Sequence, residues 1–146
     1  MQSKKTNLLE KHKELSAKTS IFGGYEMPLW YSSAKNEHIA VLTTAGIFDT
    51  SHMSPIKITG AQTEELLQFS FSRDLRYCLN KNTSPLQSGK SVYGVILDNR
   101  GHVIDDAILS RTDAQEFILM VNAGMGETLR EFLQQNRSYL DVEANI

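Results

Sequence analysis

Ser91-Val92-Tyr93-Gly94-Val95-Ile96-Leu97, then Asp98-Asn99-Arg100-Gly101, then His102-Val103-Ile104-Asp105-Asp106-Ala107-Ile108-Leu109-Ser110-Arg111, reads as two strands joined by a four-residue turn. Apolar and β-branched residues fill both runs, and Gly101 supplies the positive φ that such a turn needs. Glu116 to Asn122 follows as a third strand in succession. On the N-terminal side, Ile56 to Gly60 alternates as a strand, and Gln62 to Phe71 reads as a helix with Leu66, Leu67 and Phe69 among its apolar residues. Arg73 to Lys90 is polar and irregular, with Pro85 and Gly89, and reads as a long loop. On the C-terminal side, Ala123 to Gly126 is a turn, and Glu127 to Gln135 a helix with Leu129, Phe132 and Leu133 inward. Tyr139 to Glu143 begins one more strand.

Further out, Asn7 to Lys18 reads as a helix with Asn7 as N-cap and Glu10 in capping-box position. Leu8 and Leu15 share a face, with His12 in the slot between them. Ile21 to Pro28 reads as a shaped loop around Gly23-Gly24. Ser33 to Ala45 reads as a second helix, with Ser33 as cap, Ile39 and Leu42 inward and Gly46 as the C′ stop. Strands cluster and helices flank them without a strict βαβ alternation. The fold class is therefore α+β, with a mostly antiparallel sheet and a single domain over residues 1–146.

Composition narrows the function classes. The 146 residues are 40% hydrophobic and 22% charged, enough apolar surface for a core. Fifteen Lys and Arg against 17 Asp and Glu leave a net charge of −2, which argues against a dedicated nucleic-acid binder. Cys78 is the only cysteine, so an internal disulfide and a cysteine-based zinc site are excluded. His12, His38, His52 and His102 lack metal-ligand spacing, and no metal is expected. No apolar run approaches the roughly 20 residues of a membrane span, so a cytoplasmic location with no membrane contact is expected.

Asp105-Asp106 is the first chemical candidate. Strand alternation puts Asp106 on one face with Ile104, Ile108 and Ser110, and Asp105 on the other with Val103, Ala107 and Leu109. Both faces are largely apolar, which predicts a central strand covered on both sides. Carboxylates there are costly unless paired, protonated or used. Each is either a satisfied structural acid or an acid facing a ligand that develops positive charge. Asp49-Thr50-Ser51-His52-Met53 holds a Ser-His pair, but neighbours in a strand point apart, so His52 reads as a structural hydrogen-bonder rather than a triad member. Gly23-Gly24 and Gly124-x-Gly126 lack a Rossmann or P-loop context and read as turns. Trp30, Tyr93 and Asn122 are amphipathic groups that could line a flat pocket.

Taken in order, these segments resemble the glycine cleavage T-protein (aminomethyltransferase) family. The resemblance rests on Leu8-Leu9-Glu10-Lys11-His12, Phe22-Gly23-Gly24-Tyr25-Glu26-Met27-Pro28, Glu37-His38-x-Ala40-Val41 and Gly46-Ile47-Phe48-Asp49-Thr50-Ser51-His52-Met53. It continues through Gly89-Lys90-Ser91-Val92-Tyr93, Gly101-His102-Val103-Ile104-Asp105-Asp106 and Val121-Asn122-Ala123, and it departs at Ser72-Arg73-Asp74 and at Tyr25. It implies the N-terminal half of a folate-binding domain built from two similar halves. It also implies one-carbon transfer to tetrahydrofolate from an aminomethyl arm on a lipoyl carrier protein, with release of ammonia. By resemblance, Asp106 matches the catalytic acid, and Met53, Tyr93, Ile108 and Asn122 match pterin-pocket positions. A chain of this length implies a homodimer or a complementing second subunit. The alternative is a folate-binding or regulatory module without catalysis.

Overall fold

The computed structural model describes residues 3–81 and 83–146. The chain divides into two compact units, Met1–His52 and Met53–Ile146. Among the described residues, no helix is long and apolar enough to cross a membrane.

The first unit contains β1 (Lys4–Lys5), α1 (Leu9–Glu14), β2 (Lys18–Phe22), β3 (Tyr25–Trp30) and α2 (Ala34–Thr43). β3 is the middle strand, parallel to β1 and antiparallel to β2. Several local expectations are corrected here. α1 is half the predicted length and has no capping box: Leu8 occupies the N-cap position without a side-chain bond. Ser16, at φ 62°, turns the chain out of the helix, and the Ala17 N–H closes on the His12 carbonyl. Leu9 and His12 point inward, whereas Leu8 and Leu15 are exposed. The segment read as a loop is a β-hairpin. Gly23 and Gly24, at φ 56° and 84°, form a two-residue turn whose twist suits the flanking strands. Pro28 lies opposite Thr19, next to a register shift, where a missing N–H costs least.

α2 begins where predicted: the Ser33 side chain accepts a bond from the Asn36 N–H at 3.2 Å. Its apolar residues do not face inward, however. Leu42 is 72% exposed, Ile39 is exposed, and no α2 residue is buried. Gly46 is not the C′ residue. The helix stops at Thr43, and the Thr43 and Thr44 hydroxyls donate to the Ile39 and Ala40 carbonyls, bonding local groups at the helix end.

The second unit contains β4 (Ser54–Thr59), α3 (Thr63–Ser70), β5 (Lys90–Leu97), β6 (Val103–Asp113), β7 (Glu116–Val121) and α4 (Gly126–Leu140). Its four strands run β4-β7-β6-β5, each pair antiparallel. This is the sheet the β5–β6 hairpin predicted. Leu66 and Leu67 of α3 and Leu129 and Leu133 of α4 are completely buried in one core with Ile58, Leu109 and Val121 of the sheet. Gly94 lets β5 approach that layer closely: a Cβ there would lie 2.5 Å from the Phe71 ring. Among the described residues of 71–89 there is no helix or strand, as expected of the long loop, yet Leu75, Cys78 and Leu86 belong to the core.

Phe69, an apolar residue of α3, is outward and stacks on Tyr139 at 5.9 Å. One predicted element fails in this unit. The last predicted strand is instead the end of α4, which Asp141 terminates in the left-handed region at φ 55°. The remaining tail returns to the sheet edge through one Thr59–Asn145 bridge.

β6 is not covered on both sides. Asp105, Ala107 and Leu109 are buried against the helical layer, but Asp106 and Ile108 are exposed and Ile104 and Ser110 only half-buried. The alternation was read correctly; the sheet has one wet face, as antiparallel sheets commonly do.

Candidate functional site

Pairing register builds a patch on the open face. Tyr93 lies opposite Ile108, and Ile108 opposite Met120. One step along, Val95 lies opposite Asp106. Asn122 directly follows Val121, where the chain leaves β7, whereas β6 runs on past its last pairing with β7, at Ala107. The chain leaving β7 therefore loses its strand partner there, and side chains replace it.

Asp105 accepts the Asn122 backbone N–H at 3.0 Å with one carboxylate oxygen and the Asn122 Nδ2 at 2.7 Å with the other. The same Nδ2 donates to Asp106 Oδ1 at 2.9 Å. Two adjacent acids on opposite faces of one strand are thus tied through one amide. The Tyr93 hydroxyl donates to Asp106, and that bond, followed by the carboxylate's charge, raises the phenol above its ordinary pKa. With Nδ2 committed to the two acids, the free end of the Asn122 amide is its carbonyl oxygen, an acceptor like the Asp106 carboxylate, and both residues are exposed. Beside them lie the ring of Tyr93 and the Ile108 side chain, 61% and 44% exposed. Such a surface suits a flat ligand with N–H donors along one edge.

Four of the five sequence-predicted positions, Asp106, Tyr93, Ile108 and Asn122, thus share one patch. Met53 is half-buried immediately ahead of Ser54, which pairs with Val121. The bond from Asn122 to both acids was missed; its only sequence signal was the Asp-Asp pair in one strand and an Asn ending the next. Asp105 is the satisfied structural acid that one reading allowed.

A second polar cluster lies within the first unit. His12 is buried, with Nε2 donating to Asp49 Oδ2 at 2.8 Å and Nδ1 2.7 Å from the Tyr31 hydroxyl. Asp49 also accepts the Ser51 N–H at 2.9 Å and the Ser51 hydroxyl. Burial pushes the Asp49 carboxyl up, but the bonds from Ser51 and His12 outweigh it and hold the pKa down at about 2. Burial, then the Asp49 and Glu37 charges, raise the Tyr31 phenol. No local pattern could announce a pair 37 residues apart; the one hint was a histidine in the apolar slot of α1. His52 is not the expected hydrogen-bonder. Its Nδ1 is buried without a partner, and its ring packs edge-on against Phe22 at 5.3 Å. Among the described residues, no group of His, Cys, Asp and Glu could hold a metal ion.

The antiparallel sheet, its helices on one face and an amide-linked carboxylate beside an aromatic on the open one, defines an α+β domain. The GCVT N-terminal domain family matches residues 8–145, and the chain belongs to that family. An aminomethyltransferase from Corynebacterium jeikeium is 38% identical over 142 residues, 97% of this chain and 34% of the relative. One from Thermotoga maritima is 34% identical over 97% of this chain and 37% of its own length. The crystal structure of glycine cleavage system aminomethyltransferase T from Bartonella henselae superposes with a TM-score of 0.84 at 31% identity, covering 97% of this chain and 37% of that one. The chain thus spans about a third of the length of the relatives it matches.

Proposed function

We propose that this chain carries the pterin-facing half of a folate site, serving tetrahydrofolate-dependent aminomethyl transfer of the glycine cleavage type. In this reading, residues 1–146 correspond to the N-terminal half of the folate-binding domain. The observation that carries the proposal is the exposed Asp106 carboxylate bonded by the Asn122 amide beside the exposed Tyr93 and Ile108 side chains. The reduced pterin of tetrahydrofolate is flat and presents N–H and NH₂ donors along one edge, so the residues fit it. Met53 is assigned to the rim of the same pocket.

Asp106 then has two roles. Its carboxylate accepts an N–H of the approaching acceptor and so orients the attacking nitrogen. Its negative charge, held in place by Asn122 and Tyr93, stabilises the positive charge that develops on the methylene carbon as ammonia departs. The donor is an aminomethyl arm on a lipoyl carrier protein. The second half of the pocket comes from outside residues 1–146, whether from a second copy, a complementing subunit or further residues of a longer chain.

Isothermal titration of the 146-residue chain with tetrahydrofolate under anaerobic conditions tests this reading. Saturable heat that Asp106→Asn and Tyr93→Ala both weaken supports it; no heat from the unaltered chain overturns it. The exposure of Tyr93 and Ile108 favours one second reading, a folate-binding module without turnover. Binding without consumption of an aminomethyl-lipoyl donor, with the oligomer confirmed by light scattering, selects that module.

A further inference from the structure

We infer that Asp105 is the positioning residue of this site, acting on the ligand through Asn122 without touching it. The inference rests on the folate reading for its ligand but on geometry for its logic. Asp105 is 8% exposed, on the covered face of β6 among Ala107 and Leu109. Its two carboxylate oxygens are both used, one on the Asn122 backbone N–H and the other on the Asn122 side-chain amide. An asparagine amide has a donor end and an acceptor end of nearly the same shape, and only its partners decide which way it turns. Here two carboxylates face the same nitrogen, so the Nδ2 end is fixed inward and the Oδ1 end outward.

The consequence for the ligand is specific. Asp106 holds the amide less firmly: its carboxylate lies on the exposed face, and its backbone carbonyl is 3.4 Å from Nδ2, at the limit of a hydrogen bond. Asp105 cannot turn away, since its backbone bond to Asn122 holds it at the strand end. Asp105 thereby determines that the open face presents two acceptors rather than one acceptor and one donor. The donor edge of a pterin is matched by the first arrangement and repelled by the second.

Asp105→Asn keeps the size and removes the acceptor pair, because the new amide cannot accept with both ends. The first readout needs no ligand. In amide NMR spectra of the full chain, the Asn122 side-chain NH₂ signals, assigned by their loss in Asn122→Ala, are expected to shift upfield and exchange faster in Asp105→Asn. Unchanged signals overturn the inference whether or not folate binds. The second readout is tetrahydrofolate affinity well below the unfolding temperature. Asp105→Asn is expected to weaken it tenfold or more, and to have no further effect in an Asn122→Ala background. Additive losses in the double variant would mean that Asp105 is merely structural. Absence of binding to the unaltered chain would remove the folate reading and leave the NMR test standing. Should Asp105→Asn not fold, long-range NMR couplings across the hydrogen bonds of the unaltered chain decide: coupling from the Asn122 side-chain nitrogen to both carboxyl carbons supports the inference, and coupling to Asp106 alone overturns it.

Discussion

In Met53–Ile146 the interior is mainly hydrocarbon, with Thr63, Ser70 and Asp105 its buried polar residues: Leu66, Leu67, Leu109, Leu129, Leu133 and Val121 are fully buried in one core. Among the described residues of Met1–His52 the buried side chains are Thr6, Leu9, His12 and Met27, and the His12–Asp49 pair lies among the best-shielded groups. Apolar side chains of that unit lie mostly outside, with Phe22, Leu42, Ile47 and Phe48 all more than 60% exposed. The larger unit draws its stability from non-directional burial, about 2 kcal/mol for each fully buried Leu, and tolerates small errors of placement. The smaller unit rests on directional bonds whose partners cannot be removed singly, because the survivor is then a buried polar group without compensation.

Four substitutions or conditions break or sharpen this contrast. Phe117→Ala in the hydrocarbon core, where the ring is 1% exposed, is expected to cost about 4 kcal/mol. Urea unfolding followed by circular dichroism measures it. The fluorescence of Trp30, the only tryptophan and a residue of the smaller unit, is expected to respond less than the circular dichroism does. His12→Ala is expected to act in the opposite sense. It leaves the Asp49 carboxylate buried without its imidazole and costs about 3 kcal/mol, read mainly by Trp30. Equal responses of the two probes to both variants would erase the distinction between the units.

Acid is expected to single out the smaller unit. Asp49 has its pKa lowered on folding from 3.8 to about 2, so its contribution is complete above the unfolded value and disappears as pH falls through about 2. The loss is about 2 kcal/mol, followed by Trp30 fluorescence between pH 5 and 2 and abolished by Asp49→Asn. Leu42→Ala gives the smallest effect, within about 0.5 kcal/mol by the same urea titration, because that side chain leaves little water behind.

The same contrast explains what could be read beforehand. Strand alternation and helical spacing report where hydrocarbon goes, so the sheet of the larger unit, its hairpin and the inward Leu129 and Leu133 were legible. The end of α4 was not, because a positive φ at Asp141, a residue with no strong turn signal, ends the helix. In the smaller unit, apolar residues do not mark the interior. A rule that sends Ile39 and Leu42 inward therefore fails, and a hairpin holding Pro28 passes for a loop. At the site, the faces of Asp105 and Asp106 were legible from the period of two, but not the amide joining them, since Asn122 meets both only through a pairing 16 and 17 residues distant.

That pairing has an implication for how the patch can be lost. Asp105 and Asp106 are consecutive in β6, so sliding this strand by a single position against its neighbours would exchange their sides. The outer carboxylate would enter the hydrocarbon, and its keeper would be left outdoors with nothing to hold. Register errors elsewhere often leave a surface recognisable; here one would invert it. The irregular pairings that bracket the strand, at Ile96/Leu97 and at Arg111/Asp113, therefore guard which acid faces out as well as the shape of the sheet.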